Sequence, residues 1–158
     1  KFKSAKRVKE ATLDELKKEI EYTPLTCLVA DDRMLKKYVK HIPDAAINIF
    51  EIADKPTTIV FDDAHNLAEN LIAKDSTIGI RIPDDDFCYG LTRKFNGAVV
   101  STSANISGES TPKSFKEITP AILKGVDYVV NLQNEKIYSN PPAIIKLSNR
   151  GIVEVIRK

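Results

Sequence analysis

The chain has 158 residues, of which 42% are hydrophobic and 29% charged, with a formal net charge of +2. That length buries a sizeable core without a disulfide or a metal, no apolar run approaches a membrane span, nothing resembles a secretory leader, and so small a charge does not by itself imply a nucleic-acid partner. Cys27 and Cys88 form no C-x-x-C pair and read as reduced core thiols, while the two histidines, His41 and His65, assemble neither a zinc ligand set nor a serine–histidine triad. The default is one cytoplasmic domain with no membrane partner.

Taken in order, the chain opens on Lys1, Lys3, Lys6, Arg7 and Lys9, a basic run of the kind that usually forms a solvated face. Thr12-Leu13-Asp14-Glu15 has the form of a capping box, and Leu13, Leu16 and Ile20 recur at helical spacing, which predicts an amphipathic helix over Leu13–Ile20. Leu25–Val29 is a predicted strand. Asp31 or Asp32 caps a short helix carrying Leu35 and Val39, and Pro43-Asp44 starts another in which Ile47, Phe50 and Ala53 share a face. Thr57–Phe61 is a strongly β-branched strand, followed by a polar stretch and a short helical segment near Leu67–Ile72.

Thr77–Ile82 alternates Ile78, Ile80 and Ile82 with Thr77, Gly79 and Arg81, so one face is buried while the other carries a hydroxyl, a bare backbone and a cation. Two readings stand side by side: a ligand lying against the sheet at Gly79, or an edge strand with a surface arginine. Pro83-Asp84 opens a helix with Phe87, Leu91 and Phe95 on one stripe, ending at Asn96-Gly97. Val99–Gly108 reads V-V-S-T-S-A-N-I-S-G, a short strand ending in a loop of small hydrogen-bonding side chains, which suits either an anion site beyond a strand end or a polar turn that caps the next helix. Ser114–Lys124 is helical with an interruption at Pro120, and Tyr128–Asn131, Ala143–Leu147 and Ile152–Ile156 are three more strands, the last two joined as a hairpin through Ser148–Gly151. The interleaving predicts an α/β or α+β fold with a twisted open mixed sheet.

Together K-P-T-T-I-V-F (Lys55–Phe61), S-T-I-G-I-R-I-P (Ser76–Pro83), S-T-S-A-N-I-S-G (Ser101–Gly108) and P-P-A-I-I-K-L with a closing I-R (Pro141–Arg157) resemble the YrdC-like family. The resemblance runs in order from about Pro24 to the C-terminus. It implies a threonylcarbamoyl-AMP synthase: L-threonine, bicarbonate and ATP, with Mg2+ as the nucleotide's counterion and no tightly bound protein metal site, give threonylcarbamoyl-AMP and diphosphate. A transferase partner then carries the threonylcarbamoyl group to adenosine 37 of tRNA. By position the resemblance assigns Arg81 and Ser103 to threonine and Thr77, Asn105 and Arg157 to ATP, with Lys113 and Arg7 as weaker ATP candidates. It also implies a concave basic cavity. No residue is assigned a covalent role, because attack of a carbamate oxygen on the α-phosphorus of ATP needs positioning and charge neutralisation more than a protein nucleophile.

The sequence departs from that pattern in several places. It has no Y-P-T-x-T-x-Y-G run, so the expected organisation is a single domain over 1–158 lacking an N-terminal strand and loop. Lys6-Arg7 is adjacent where the family has K-x-R, Ala143 stands where a serine is usual, and Lys113 replaces a small hydroxyl. These departures leave an alternative open, a non-catalytic RNA-binding or regulatory module on the same scaffold.

Overall fold

The structure, a computed structural model, describes residues 25–132, 137 and 141–157; the Leu13–Ile20 helix and Arg7 expected from the sequence lie outside them. The elements in order are β1 (Thr26–Leu28), α1 (Asp32–Leu35), α2 (Asp44–Ile52), β2 (Thr57–Phe61), a 3-10 turn (Glu69–Leu71), β3 (Ile78–Arg81), α3 (Asp86–Phe95), β4 (Val99–Ser101), a second 3-10 turn (Phe115–Glu117), α4 (Pro120–Gly125), β5 (Ala143–Leu147) and β6 (Val153–Arg157). The chain divides into two compact units. One comprises Pro24–Ser101 and Pro142–Lys158 and holds every strand among the described residues; the other comprises Lys1–Thr23 and Thr102–Pro141.

In the first unit six strands form one mixed sheet in the order β4-β1-β3-β2-β5-β6. The pairs β1–β3 and β2–β5 are parallel, and β1–β4, β2–β3 and β5–β6 are antiparallel. Period-2 alternation then sorts the side chains. Cys27, Ile59, Phe61, Ile78, Ile80 and Leu147 pack on one face with Met34 and Leu35 of α1 and Ala46 of α2 in a single buried cluster. Phe50 adds a tilted ring contact to Phe61, 6.5 Å between centroids. Burying six such strand side chains on one face, at roughly 1.5–3 kcal/mol for each large one, is what fixes the register, since a one-residue slip would turn them all to the other side.

Local chemistry explains the element ends. Asp31, not Asp32, caps α1 by accepting the Met34 amide at 2.8 Å, and Asp85 caps α3 by accepting the Cys88 amide at 2.9 Å. Asn96 ends α3 in the left-handed conformation at φ 56°. The β5–β6 hairpin turns through Gly151 at φ 77°, with its amide donating to the Ser148 carbonyl at 2.9 Å.

Five sequence expectations are revised. β3 lies between β1 and β2 in the middle of the sheet, so Arg81 is not on an edge strand. The face that α2 turns to the core runs through Ala46, Ile49 and Phe50 rather than Ile47, Phe50 and Ala53. The stripe Phe87, Leu91 and Phe95 on α3 is 39%, 44% and 66% exposed, because Thr92 is the residue that this helix buries. Tyr128–Asn131 forms no strand: its backbone is irregular and Tyr128 is 78% exposed. The segment Ser114–Lys124 is a 3-10 turn and the short α4, with Pro120 starting the helix instead of interrupting one.

Candidate functional site

The second face of the sheet carries a cluster of polar side chains among Leu28, Val60 and Ile144, and the register shows how they meet. Arg81 stands next to Thr58 in the β2–β3 ladder, Thr58 is paired with Ile144 and Ile144 with Arg157, so a single row of side chains crosses β3, β2, β5 and β6. Thr26, Gly79 and Lys146 belong to the same face by alternation. The neighbours of Gly79 approach closely: a Cβ there would stand 3.2 Å from Cγ2 of Thr58 and 3.8 Å from Oγ1 of Thr26.

Arg81 is the centre of the row. Its Nε and Nη2 both donate to Thr58 Oγ1, at 3.0 and 2.7 Å. Burial first, and the nearby charge of Arg157 second, push its pKa below the ordinary value. A guanidinium stays protonated despite this, and an anion bound beside it would offset both effects. Among the described residues no carboxylate pairs with Arg81. Arg157 is exposed on β6 and is oriented by donating from Nε to the Pro142 carbonyl at 2.9 Å.

Thr77 immediately precedes β3 and is buried. Its hydroxyl donates to Asp75 Oδ1 at 2.7 Å, and its amide reaches the same oxygen at 3.3 Å. With its proton so committed, Thr77 has only oxygen lone pairs left for a ligand. Lys146 Nζ donates to the other carboxylate oxygen of Asp75 at 3.4 Å.

In the second unit Ser103 is exposed in the irregular stretch after β4. Asn105 closes a tight loop: Nδ2 donates to the carbonyls of Ile106 at 3.1 Å and Glu109 at 3.0 Å, while Gly108 supplies φ 85°. Both amide protons are thereby used and Oδ1 is buried without a partner, an acceptor facing no protein donor. The Lys113 side chain is exposed; its amide and the Ser114 hydroxyl are held by the Glu117 carboxylate at 3.0 and 3.5 Å.

A family model described as telomere recombination, that of the Sua5, YciO and YrdC proteins, matches residues 5–158. The chain belongs to the Sua5/YciO/YrdC family. Within that family it is 35% identical over 133 residues to a protein of Methanocaldococcus jannaschii that is provisionally named a threonylcarbamoyl-AMP synthase, an alignment covering 84% of this chain and 61% of that one. It is 32% identical over 131 residues to the threonylcarbamoyl-AMP synthase of Pseudoalteromonas translucida, covering 80% and 68%. It thus spans about three-fifths of the length of the archaeal relative. The fold is similar to that of P. abyssi Sua5 solved with L-threonine, with a TM-score of 0.65 and 19% identity over 79% of this chain and 37% of that one.

Of the residues singled out in this family member from sequence, the structure brings Arg81 and Arg157 into electrostatic reach of each other and sets Thr77 at the head of the same strand as Arg81. Sequence reading missed Thr58, Asp75 and Lys146. The signal for Thr58 was present, a hydroxyl inside an otherwise apolar β-branched strand, but pairing with Arg81 is a property of the register. Among the described residues no three His, Cys, Asp or Glu side chains gather as a protein-held metal site requires, and no helix is long and apolar enough to cross a membrane.

Proposed function

We propose that this chain carries the L-threonylcarbamoyladenylate synthase activity for which its relatives are named, forming threonylcarbamoyl-AMP and diphosphate from L-threonine, bicarbonate and ATP. The observation that carries the reading is the half-buried Arg81 in the polar row of the sheet, fixed by Thr58, influenced by Arg157 and paired with no carboxylate among the described residues. An arginine so placed suits a small carboxylate such as that of threonine, bound in a bidentate manner.

The remaining roles follow from what each group has left to offer. Ser103 supplies a free hydroxyl to threonine. Thr77 and Asn105 supply acceptors, which fit the O–H and N–H donors of a nucleoside better than phosphate oxygens. Arg157, with the exposed Lys113 and, outside the described residues, Arg7, supplies cationic contacts to the ATP phosphates. Mg2+ enters as MgATP, carried mainly by the phosphates themselves. The threonine amine and bicarbonate first give a carbamate with loss of water, and a carbamate oxygen then attacks the α-phosphorus as diphosphate leaves; the protein's part is to hold the two anions in line and offset their charge. The product, formed in the cytosol, passes to a transferase that modifies tRNA.

The test is diphosphate release by the purified chain. Release that needs ATP, threonine and bicarbonate together supports the reading. Arg81→Ala should raise the threonine KM roughly 10- to 100-fold, the range expected for loss of a charge-assisted contact. Turnover independent of threonine, or salt-sensitive RNA binding with no turnover, would overturn it in favour of a binding module.

A further inference from the structure

We propose that Thr58 is a positioning residue that selects which edge of the Arg81 guanidinium meets the substrate carboxylate; the inference rests on the reading of Arg81 given above. A guanidinium has five N–H donors, and it can bind a carboxylate side-on through Nε and Nη2 or end-on through Nη1 and Nη2. Thr58 Oγ1 accepts from both Nε and Nη2. The side-on edge is therefore closed. Three donors remain, two on Nη1 and one on Nη2, and one from each nitrogen forms the end-on edge.

The selector is itself held on every side. Thr58 is 2% exposed on β2, which is hydrogen-bonded to β3 on one flank and β5 on the other. It is β-branched, so χ1 is stiff. Its methyl lies toward Gly79, where even an added Cβ would come to 3.2 Å, and this leaves its oxygen toward Arg81. No hydroxyl is needed at this position for packing, since Val fills the same volume. What a hydroxyl adds is an acceptor for the guanidinium, and without it Arg81 is free to swing toward other conformers and to present either edge.

The prediction separates carboxylate recognition from general stability. Affinities of the full chain for L-threonine and for L-threoninamide, which lacks the carboxylate, are measured by calorimetry alongside steady-state KM and kcat, for the wild type, Thr58→Val, Thr58→Ser and Arg81→Ala. Thr58→Val should weaken threonine about five- to tenfold and shrink the preference for threonine over its amide by a similar factor, with the ATP KM changed less than twofold. Thr58→Ser, which keeps the acceptor, should restore the preference to within about twofold. If Arg81→Ala abolishes the preference while Thr58→Val leaves it intact, the positioning role is wrong and the reading of Arg81 survives. If Arg81→Ala leaves the preference intact, both are wrong. Equal weakening of threonine, its amide and ATP by Thr58→Val would mark a purely structural residue and also overturn the proposal.

Discussion

Asp75 holds the hydroxyl of Thr77 at 2.7 Å. With its second oxygen it accepts from Lys146, so one carboxylate ties the entrance of β3 to β5 across the polar face. The Thr77 hydroxyl first, then the Thr77 amide and Lys146, hold the Asp75 carboxyl below its ordinary pKa of 3.8 against the opposing effect of burial. A carboxyl with a depressed folded-state pKa contributes stability at pH values above its unfolded pKa and loses it as pH falls through the folded value. Stability contributed by Asp75 is therefore complete at neutral pH and is lost below about pH 4. Asp75→Asn should remove that portion of the acid sensitivity, and Asp75→Ala should lower stability by about 1 kcal/mol at pH 7, both read from urea unfolding curves.

Gly79 is closely approached by its neighbours on the polar face. Gly79→Val places its branched side chain against the methyl of Thr58, with the Leu25 carbonyl at 3.7 Å and the Thr26 hydroxyl at 3.8 Å from the new Cβ. Overpacking of this kind costs about 1–3 kcal/mol. The expected outcome is a lower melting temperature together with a threonine affinity reduced more strongly than in a surface variant of equal stability.

Asn105 donates both amide protons to backbone carbonyls of its own loop. Asn105→Ala removes two hydrogen bonds, and Asn105→Asp replaces the donors with a charged acceptor facing two carbonyl oxygens. Aspartate should therefore be the more damaging substitution, although it is the closer isostere. Amide exchange at Glu109, whose N–H donates to the Ile106 carbonyl at 2.9 Å, would report loop opening, with Asp faster than Ala and both faster than wild type.

Neither free thiol is built to react. Cys27 is buried with its pKa raised by burial, and Cys88 is pushed up to about 11 by burial first and by Asp85 second. At pH 8 only about one Cys88 side chain in a thousand is thiolate. Iodoacetamide should label both slowly in the folded protein at pH 8 and quickly in urea. Fast labelling of the native chain at pH 8 would contradict this environment.

The strands that carry the site were legible because their patterns are local. Thr57–Phe61 and Ala143–Leu147 have the predicted bounds, and the alternation through Gly79 and Arg81 announced a two-faced strand. The helical stripes were less legible: Phe87, Leu91 and Phe95 have core periodicity yet stand exposed, since periodicity says which residues share a face and not whether anything covers it. Tyr128–Asn131 failed for a related reason, as a β-branched run becomes a strand only when another strand pairs with it.

By itself the sequence determined the polar side-chain types on each strand, the α3 end at Asn96 and the Gly151 turn, which depend on bonds spanning a few residues, while it left the α1 cap open between Asp31 and Asp32 and placed the α3 start at Pro83-Asp84 where Asp85 is the cap. Only the tertiary structure decided that β3 sits mid-sheet, that Thr58 lies beside Arg81, 23 positions away in sequence, and that Arg157 ends in the same row. Register across non-consecutive strands is set by which apolar set the core must bury. The position of a cation relative to its partners follows from that burial, and no local pattern encodes it.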